Sequence, residues 1–197
     1  QKETNSYIYA NSLEFPSTTH ISIVDEYGNA LSMTSTIESS FGSRLMTNGG
    51  FLLNNELTDF SFQKEKKGKR VANNIEPNKR PRSSMAPTII FKNDKPLFII
   101  GSPGGSNIIG YVVNSIIGLV DWKMNVQQAA SIPHGINKFG TFYLEKNSKI
   151  SLLKNQLEKK GYKVKLRNFY SGLNIIQIKK KLFGGSDHRR EGVAIGY

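Results

Sequence analysis

The glycine-rich segment at residues 101–106 strongly restricts the local structure that the chain can adopt. It reads Gly-Ser-Pro-Gly-Gly-Ser, follows an apolar strand pattern at residues 96–100, and opens a long apolar pattern that runs to Val120. A long apolar run that starts at a glycine turn predicts a buried helix. A strand, a tight loop and a helix are therefore expected in direct succession.

Two hairpins are predicted from alternating apolar and polar side chains on either side of turn-rich tetrapeptides. The turns fall at residues 26–29 and 92–95. The predicted strands of these hairpins are residues 20–25, 30–36, 85–91 and 96–100. Residues 51–53 are expected to continue the first sheet.

The remaining pattern alternates less regularly. Shorter helices are predicted at residues 126–131 and 150–160, and strands at 142–145, 163–166 and 174–178. Hairpins, then helices, then more strands favour an α+β layered sandwich over an alternating parallel α/β fold.

The composition is that of one globular core. With 197 residues, of which 38% are apolar, one domain is expected at residues 18–197, after a polar tail or linker at residues 1–17. The absence of cysteine excludes disulfides, thiolate catalysis and cysteine metal sites. No apolar run reaches membrane-spanning length.

The net charge of +12 predicts attraction to anionic partners such as nucleic acid, anionic lipid or polyacids, without choosing among them. A hydrophilic insert at residues 61–82 is expected to form a basic surface loop. Its basic residues are Lys64, Lys66, Lys67, Lys69, Arg70, Lys79, Arg80 and Arg82.

Thr18 stands immediately before the first predicted strand. If the peptide bond between Ser17 and Thr18 is cut, Thr18 has its own α-amine beside its hydroxyl. A weak nucleophile then acquires a built-in base, so the chemistry needs no cysteine, metal or cofactor.

The glycine segment lacks the spacing of the common phosphate-binding and dinucleotide-binding loops, which argues against a nucleotide site. Adjacent glycines at the start of a helix allow a reacting carbonyl to approach backbone N–H groups, as in an oxyanion hole. The alternative is a tight turn that only lets strand and helix pack.

Three carboxylates, Glu38, Glu56 and Asp59, lie at the ends of early strand patterns. Acids gathered at one rim could hold a substrate ammonium, or they could be ordinary solvated charges.

Ser83 and Ser84 could donate hydrogen bonds to a substrate carboxylate, with charge-assisted help from Arg82, or could simply belong to a loop. The histidines lack metal-ligand spacing, so they are interpreted as structural or surface groups and no metal site is predicted. They are His20, His134 and His188.

Many short motifs in this chain, in this order and spacing, resemble the small catalytic subunit of gamma-glutamyltranspeptidases from Thr18 onward. The motifs are Thr18-Thr19-His20 with Asp25, Gly28-Asn29-Ala30, Thr34-Ser35-Thr36-Ile37-Glu38 to Phe41-Gly42, Asn54-Asn55-Glu56-Leu57-Thr58-Asp59-Phe60, Pro77-Asn78-Lys79-Arg80-Pro81, Ser83-Ser84-Met85-Ala86-Pro87-Thr88, the glycine segment and the closing Gly196-Tyr197.

The resemblance implies an N-terminal-nucleophile hydrolase fold, an αββα sandwich of which this chain supplies about half, made by self-cleavage between Ser17 and Thr18. Thr18 would attack a γ-glutamyl amide and form an ester intermediate. Thr36 would hydrogen-bond the nucleophile, and Gly104 and Gly105 would form the oxyanion hole.

The resemblance also assigns the substrate groups. Glu56 and Asp59, with Glu38 beside them, would hold the substrate α-amino group. Ser83 and Ser84 would hold the α-carboxylate. The implied partners are the large subunit of the same precursor, a γ-glutamyl donor, and an amine or water acceptor, with no cofactor and no nucleic acid. An extracellular, wall-associated or periplasmic location is expected, with any signal upstream.

Two features depart from an ordinary transpeptidase pattern. Arg82 directly precedes the serine pair, where an apolar residue is expected, and the part of the basic insert from Lys64 to Arg70 replaces the lid-like loop of some members. Both could attract poly-γ-glutamate, which some family members depolymerise, and the chain resembles that branch. A glutathione-type transpeptidase stays open as the alternative.

A third interpretation is a non-catalytic module that binds polyanions or nucleic acid, because aromatic and basic side chains alternate near the C-terminal end. The residues concerned are Lys159, Lys160, Tyr162, Lys163, Lys165, Arg167, Phe169 and Tyr170.

Overall fold

The computed structural model describes residues 7–8 and 17–196. The predicted tail at residues 1–17 otherwise lies outside this described part, as does Tyr197. The chain divides into two compact units, which are considered separately. Within the described part, the first unit holds residues 7–8, 17 and 36–84, and the second holds residues 18–35 and 85–196.

The elements are as follows. The strands are β1 (Tyr7–Ile8), β2 (Thr19–Val24), β3 (Ala30–Ser35), β4 (Glu65–Lys66), β5 (Lys69–Val71), β6 (Thr88–Lys92), β7 (Lys95–Gly101), β8 (Gly135–Lys138), β9 (Thr141–Glu145), β10 (Lys163–Arg167), β11 (Asn174–Ile178) and β12 (Leu182–Ser186). The helices are α1 (Ile108–Val120), α2 (Val126–Ala130) and α3 (Lys154–Lys159), with short 3₁₀ segments at Glu56–Asp59, Gly105–Asn107 and Lys149–Leu153. Among the described residues, no helix is long and apolar enough to span a bilayer.

The second unit is built on a four-stranded antiparallel sheet in the order β12-β11-β7-β6. The hairpin of β2 and β3 packs against β7 and β11, while α1 and α2 pack against β7, β11 and β12. Side chains alternate across a strand, and Phe98 and Ile100 join the helix-side core while Ile99 is also fully buried. Both faces of β7 are therefore covered.

The core between this sheet and its helices is apolar and continuous. Its buried members are Phe98, Ile100, Ile108, Tyr111, Val112, Leu119, Val126, Ala129, Ala130, Phe169, Leu173 and Ile175. Burial of this apolar stripe explains why residues 108–120 form a helix despite four β-branched isoleucines and three valines.

A second sheet of the same unit has the order β10-β9-β8, with β9 parallel to β10 and antiparallel to β8. Helix α3 packs against β10. The connection from β10 to β11, at residues 168–173, joins this sheet to the four-stranded one and carries much of the buried polar chemistry described below.

The first unit has little regular structure. Its three-stranded sheet runs β1-β5-β4, with β1 parallel and β4 antiparallel to β5. The predicted basic loop thus contains a short hairpin, turned at Lys67 and Gly68, which both adopt positive φ. The exposed lysines of that hairpin agree with the predicted surface position.

The expectation that residues 51–53 continue the first sheet was wrong. Leu52 makes only an isolated bridge, to Met46. A turn through Gly49 and Gly50 folds the chain back on itself, because Thr47 donates its N–H to Phe51 O at 2.9 Å. The segment therefore pairs locally instead of joining β3.

The other predicted elements are confirmed: both long hairpins, the long apolar helix, the shorter helices and the three later strands. The short strands β1, β4 and β5 of the first unit were not predicted, and β8 and β12 of the second unit had no clear sequence signal. Strand β12 contains Gly184 and Gly185, which are poor strand formers. A Cβ at Gly185 would lie 2.7 Å from the backbone carbonyl of Val126, so packing of α2 on β12 requires a glycine there.

Candidate active site

Thr18 lies at the amino end of β2 in the second unit and is buried. Its carbonyl oxygen accepts a hydrogen bond of 3.3 Å from Nη1 of Arg190. The next residue, Thr19, pairs with Ser35 in the hairpin ladder. Thr18 is thus held on its carboxyl side by both the ladder and a guanidinium.

The strand that follows Thr18 is fixed by buried polar groups. His20 Nδ1 lies 2.8 Å from Thr34 Oγ1, and Nε2 lies 3.1 Å from Ser22 Oγ. Asn174 Nδ2 donates to the carbonyl of His20 at 3.2 Å. Burial lowers the pKa of His20 to about 4, so the ring is neutral at pH 7. The interpretation of His20 as a structural group is consistent with this environment.

The glycine segment connects β7 to α1 in the second unit. Gly104 adopts φ 138° and ψ 22°, and Gly105 adopts φ 58°. A Cβ at Gly104 would lie 2.4 Å from Cε2 of Tyr111, and one at Gly101 would lie 2.0 Å from Cε1 of His20. Close packing therefore requires glycine at both ends of this turn, whether or not the turn also binds a substrate oxygen.

The three candidate carboxylates come together in the first unit. One oxygen from each of Glu38, Glu56 and Asp59 lies within 4.8 Å of the others. Glu38 has a positive φ of 70°, and its N–H donates to Thr36 Oγ1 at 3.0 Å. Its backbone carbonyl accepts a hydrogen bond from the hydroxyl of Ser17.

Burial and mutual repulsion both act on the acids of this cluster. Burial, and then the charge of Asp59, raise the pKa of Glu56. A cation placed among the three acids would relieve that repulsion. Oxygen-only donors suit an ammonium group as well as a hard metal ion.

Arg82 already neutralises one of the acids. Its Nη2 lies 3.2 Å from Oδ1 of Asp59, whose side chain is largely buried. Ser83, which is exposed, and Ser84, which is partly buried, follow Arg82 directly in the chain. Arg82 and Asp59 thus form an ion pair that links the segment before the serine pair to the acid cluster.

The predicted site residues divide between the two units. Thr18, Gly104 and Gly105 lie in the second unit. Thr36, Glu38, Glu56, Asp59, Arg82, Ser83 and Ser84 lie in the first.

The basic insert carries both paired and exposed charges. Arg70 and Lys79 form ion pairs with Glu76, at 2.8 Å for Lys79. Hydrogen bonds from Lys79 and then Arg70 lower the pKa of Glu76 to about 2. Lys64, Lys67 and Lys69 are exposed on and beside the β4–β5 hairpin.

The aromatic residues that suggested a nucleic-acid surface do not form one stacking platform. Phe169 is buried and packs edge-to-face on Tyr111 and His134, at centroid distances of 5.9 and 5.6 Å. Arg167 lies over its ring at 4.8 Å. Since base stacking needs an accessible ring, Phe169 is unavailable for it.

A buried polar network in the second unit was not expected from the sequence. His134 Nε2 lies 2.7 Å from Ser171 Oγ, which donates to Asp187 Oδ2 at 2.5 Å. Arg189 forms ion pairs with Asp187 at 2.9 Å and with Glu145 at 2.6 Å. No local motif links these residues, because they come from four separate segments.

Comparison with known families supports the resemblance along the whole chain. The family described as Gamma-glutamyltranspeptidase matches residues 1–197. The "Glutathione hydrolase proenzyme" of Bacillus subtilis is 37% identical over 91% of this chain and 30% of its own length. The protein of the same name from Escherichia coli is 36% identical over 91% of this chain and 33% of its own length. The chain therefore spans about a third of these relatives.

Solved structures of this family are also similar to the chain. A mutant gamma-glutamyltranspeptidase of Helicobacter pylori is 39% identical, with a TM-score of 0.77, over 87% of this chain and 100% of the matched one. The Bacillus anthracis transpeptidase CapD is 28% identical, with a TM-score of 0.69, over 91% of this chain and 99% of its own. These similarities confirm the predicted α+β class and N-terminal-nucleophile hydrolase fold. The chain belongs to the gamma-glutamyltranspeptidase family.

Proposed function

We propose that this protein transfers or hydrolyses γ-glutamyl groups, with Thr18 as its nucleophile after cleavage of the peptide bond between Ser17 and Thr18. The observation that carries the proposal is the cluster of Glu38, Glu56 and Asp59, because a γ-glutamyl donor presents an α-ammonium group. Membership of the gamma-glutamyltranspeptidase family supports this role for the cluster.

In the proposed cycle, the Thr18 hydroxyl oxygen attacks the γ-carbonyl carbon while the Thr18 α-amine accepts the hydroxyl proton. The C–N bond of the donor then breaks, and the proton passes to the leaving amine. The resulting γ-glutamyl ester is attacked by an amine, which completes transfer, or by water, which completes hydrolysis. Each N–H donated by Gly104 or Gly105 to the oxyanion would stabilise the transition state by about 3 kcal/mol.

Donor recognition is assigned to the first unit. The acid cluster would bind the α-ammonium, and Ser83 and Ser84 would donate to the α-carboxylate. Arg82 would act through Asp59, since the two already form an ion pair. Thr36 is proposed to hydrogen-bond the nucleophile, as the family resemblance implies.

The remaining assignments follow from the family resemblance. The rest of a longer precursor would supply the large subunit, and the chemistry requires no cofactor. An exported location, outside the cytoplasmic membrane, is proposed on the same ground.

The test is intact mass and N-terminal sequencing of the protein produced together with its upstream half. Wild type should yield a new N-terminus at Thr18, whereas Thr18→Ala should stay uncleaved. Thr19→Ala is the matched control, because it alters the neighbouring exposed threonine, and it should be cleaved normally. An active, uncleaved wild type would refute the proposal.

Two donor classes remain, each with its own support. The names of the bacterial relatives favour glutathione. The exposed Lys64, Lys67 and Lys69 favour poly-γ-glutamate, because an anionic polymer gains long-range attraction that a small donor does not.

Turnover of both donors should therefore be compared in a variant that changes these three lysines to serine. If the polymer is the substrate, its turnover should fall and lose part of its salt dependence, while glutathione turnover is unchanged. A variant with Lys179, Lys180 and Lys181 changed to serine is the control, since it removes the same charge from the second unit. Equal polymer turnover in the two variants would remove the support that these lysines give to the polymer.

A further inference from the structure

The amino end of β2 is fastened to the rest of the second unit through backbone carbonyls. Arg190 Nη1 donates to the carbonyl of Thr18 at 3.3 Å, and Arg190 Nε donates to the carbonyl of Tyr170 at 3.1 Å. Two residues along β2, Asn174 Nδ2 donates to the carbonyl of His20 at 3.2 Å. One guanidinium thus bridges Thr18 to the β10–β11 connection.

The Arg190 side chain is itself held in place. A Cβ at Gly172 would lie 3.0 Å from Cδ of Arg190, so the stem packs closely against that glycine. Arg190 follows Arg189, whose guanidinium is fixed by Asp187 and Glu145. The Arg190 guanidinium is therefore held in position before Thr18 is cut from Ser17.

Cleavage makes this contact more important. It removes the peptide bond on the amino side of Thr18, so the backbone of the residue is then linked covalently to the chain through its carboxyl side alone. The orientation of the Thr18 carbonyl sets the backbone dihedral ψ, and ψ sets where the nitrogen and the hydroxyl-bearing Cβ lie relative to the strand.

We infer that Arg190 is a positioning residue: by holding the Thr18 carbonyl, it aims the freed α-amine and the hydroxyl of the new N-terminus. This inference rests on the proposed function of Thr18. Arg190 contacts the carbonyl of Thr18, which does not react, so in this role it acts through the geometry of Thr18 and not through the chemistry.

The test compares Arg190→Gln, Arg190→Lys and Arg190→Ala with wild type in the full precursor. Because small misplacements of a reacting group are costly, kcat per processed active site should fall roughly 10- to 100-fold in Arg190→Gln. The KM for the donor should change by less than about twofold, since Arg190 binds no substrate. Arg190→Lys should recover part of the loss in kcat, because the lysine ammonium can still donate a hydrogen bond to the Thr18 carbonyl.

Chemical rescue separates positioning from general structure. Guanidinium ion at a non-denaturing concentration should raise kcat of Arg190→Ala but leave wild type unchanged. Lys181→Gln removes one exposed charge from the same unit and serves as the control. A fall in kcat that neither lysine nor guanidinium ion repairs would overturn the inference, as would wild-type kcat in Arg190→Gln.

Thr18→Ala distinguishes this failure from failure of the proposed function. If Thr18→Ala retains activity, Thr18 is not the nucleophile and the proposed function fails. If Thr18→Ala is inactive while Arg190→Gln is as fast as wild type, only the positioning role fails.

Discussion

Gly104→Ala should damage the protein at one identifiable contact. The new Cβ would lie 2.4 Å from Cε2 of Tyr111, whereas carbon atoms in contact normally lie about 3.5–4.0 Å apart. Tyr111 cannot simply move away, because it is 1% exposed and its ring packs on His134 at a centroid distance of 4.3 Å. Either the glycine turn or the core must shift by about 1 Å.

Two costs add in this variant. Overpacking a core contact costs about 1–3 kcal/mol. A non-glycine residue at the φ of 138° found at Gly104 adds about 1–3 kcal/mol of backbone strain. The free energy of unfolding should therefore fall by about 2–6 kcal/mol, or about 5–20 °C in Tm for a domain of this size. Displacing the proposed oxyanion donors should lower kcat by roughly 10²- to 10³-fold.

The matched control is Gly140→Ala. Gly140 also has a positive φ, 78°, but no atom lies within 4 Å of the place that its Cβ would occupy, so only strain of about 1–2 kcal/mol is expected. Thermal unfolding and kcat are measured on both variants, and on Gly104→Ala combined with Tyr111→Leu, which removes the ring edge. Tyr111→Leu alone is measured as the reference for the double variant, because it removes buried core volume. Equal losses in the two alanine variants, or the same Tm loss from Gly104→Ala with and without the ring, would refute the steric argument.

Three further predictions follow from other contacts. Asp59→Asn removes the ion pair between Asp59 and Arg82 and one acid of the cluster, so the donor KM should rise roughly 10- to 100-fold, and an unchanged KM in steady-state assays would contradict the recognition role. Burial lowers the pKa of His134 from 6.5 to about 4, so its stabilising contribution is complete above pH 6.5 and is lost as pH falls toward 4. Tm of wild type should therefore fall more steeply over that range than Tm of His134→Gln, and parallel curves would disprove it. Ser171→Ala leaves the buried Asp187 short of a donor, which should lower the free energy of unfolding by about 1–3 kcal/mol in denaturant titration, whereas no change would show that the network is dispensable.

The acid cluster shows how far sequence reasoning reached. Glu38, Glu56 and Asp59 were placed at the ends of early strand patterns, either as a site for an ammonium group or as solvated charges. The structure places one oxygen of each within 4.8 Å of the others, although the strand expected at residues 51–53 does not form. What the sequence could not give is their arrangement: Glu38 turns into the cluster through a positive φ, and Asp59 sits at the end of a short 3₁₀ segment. Both are consequences of irregular backbone, which no periodicity reports.

Strand prediction failed at residues 51–53 and at β12, for two different reasons. Residues 51–53 are apolar enough to form a strand, but the turn before them keeps them local. Strand β12 has two glycines and weak propensity, but it pairs with β11 along five residues and is covered by α2. Tertiary contacts decided the second case against local preference, whereas a local turn decided the first.

The buried polar network around Asp187 could not be predicted because its members are distant in sequence. It explains how the irregular connection between β10 and β11 is held in place. Residues 168–173 have no ladder of their own, but Asp187 accepts hydrogen bonds from the Ser171 hydroxyl and the Leu173 N–H. Buried ion pairs add little net stability, since desolvation offsets much of their attraction. Their effect here is geometric: Arg189 fixes the turn that presents Arg190, and Arg190 reaches back to the carbonyl of Thr18. The buried charges of the second unit thus set the position of the residue proposed to carry out the chemistry.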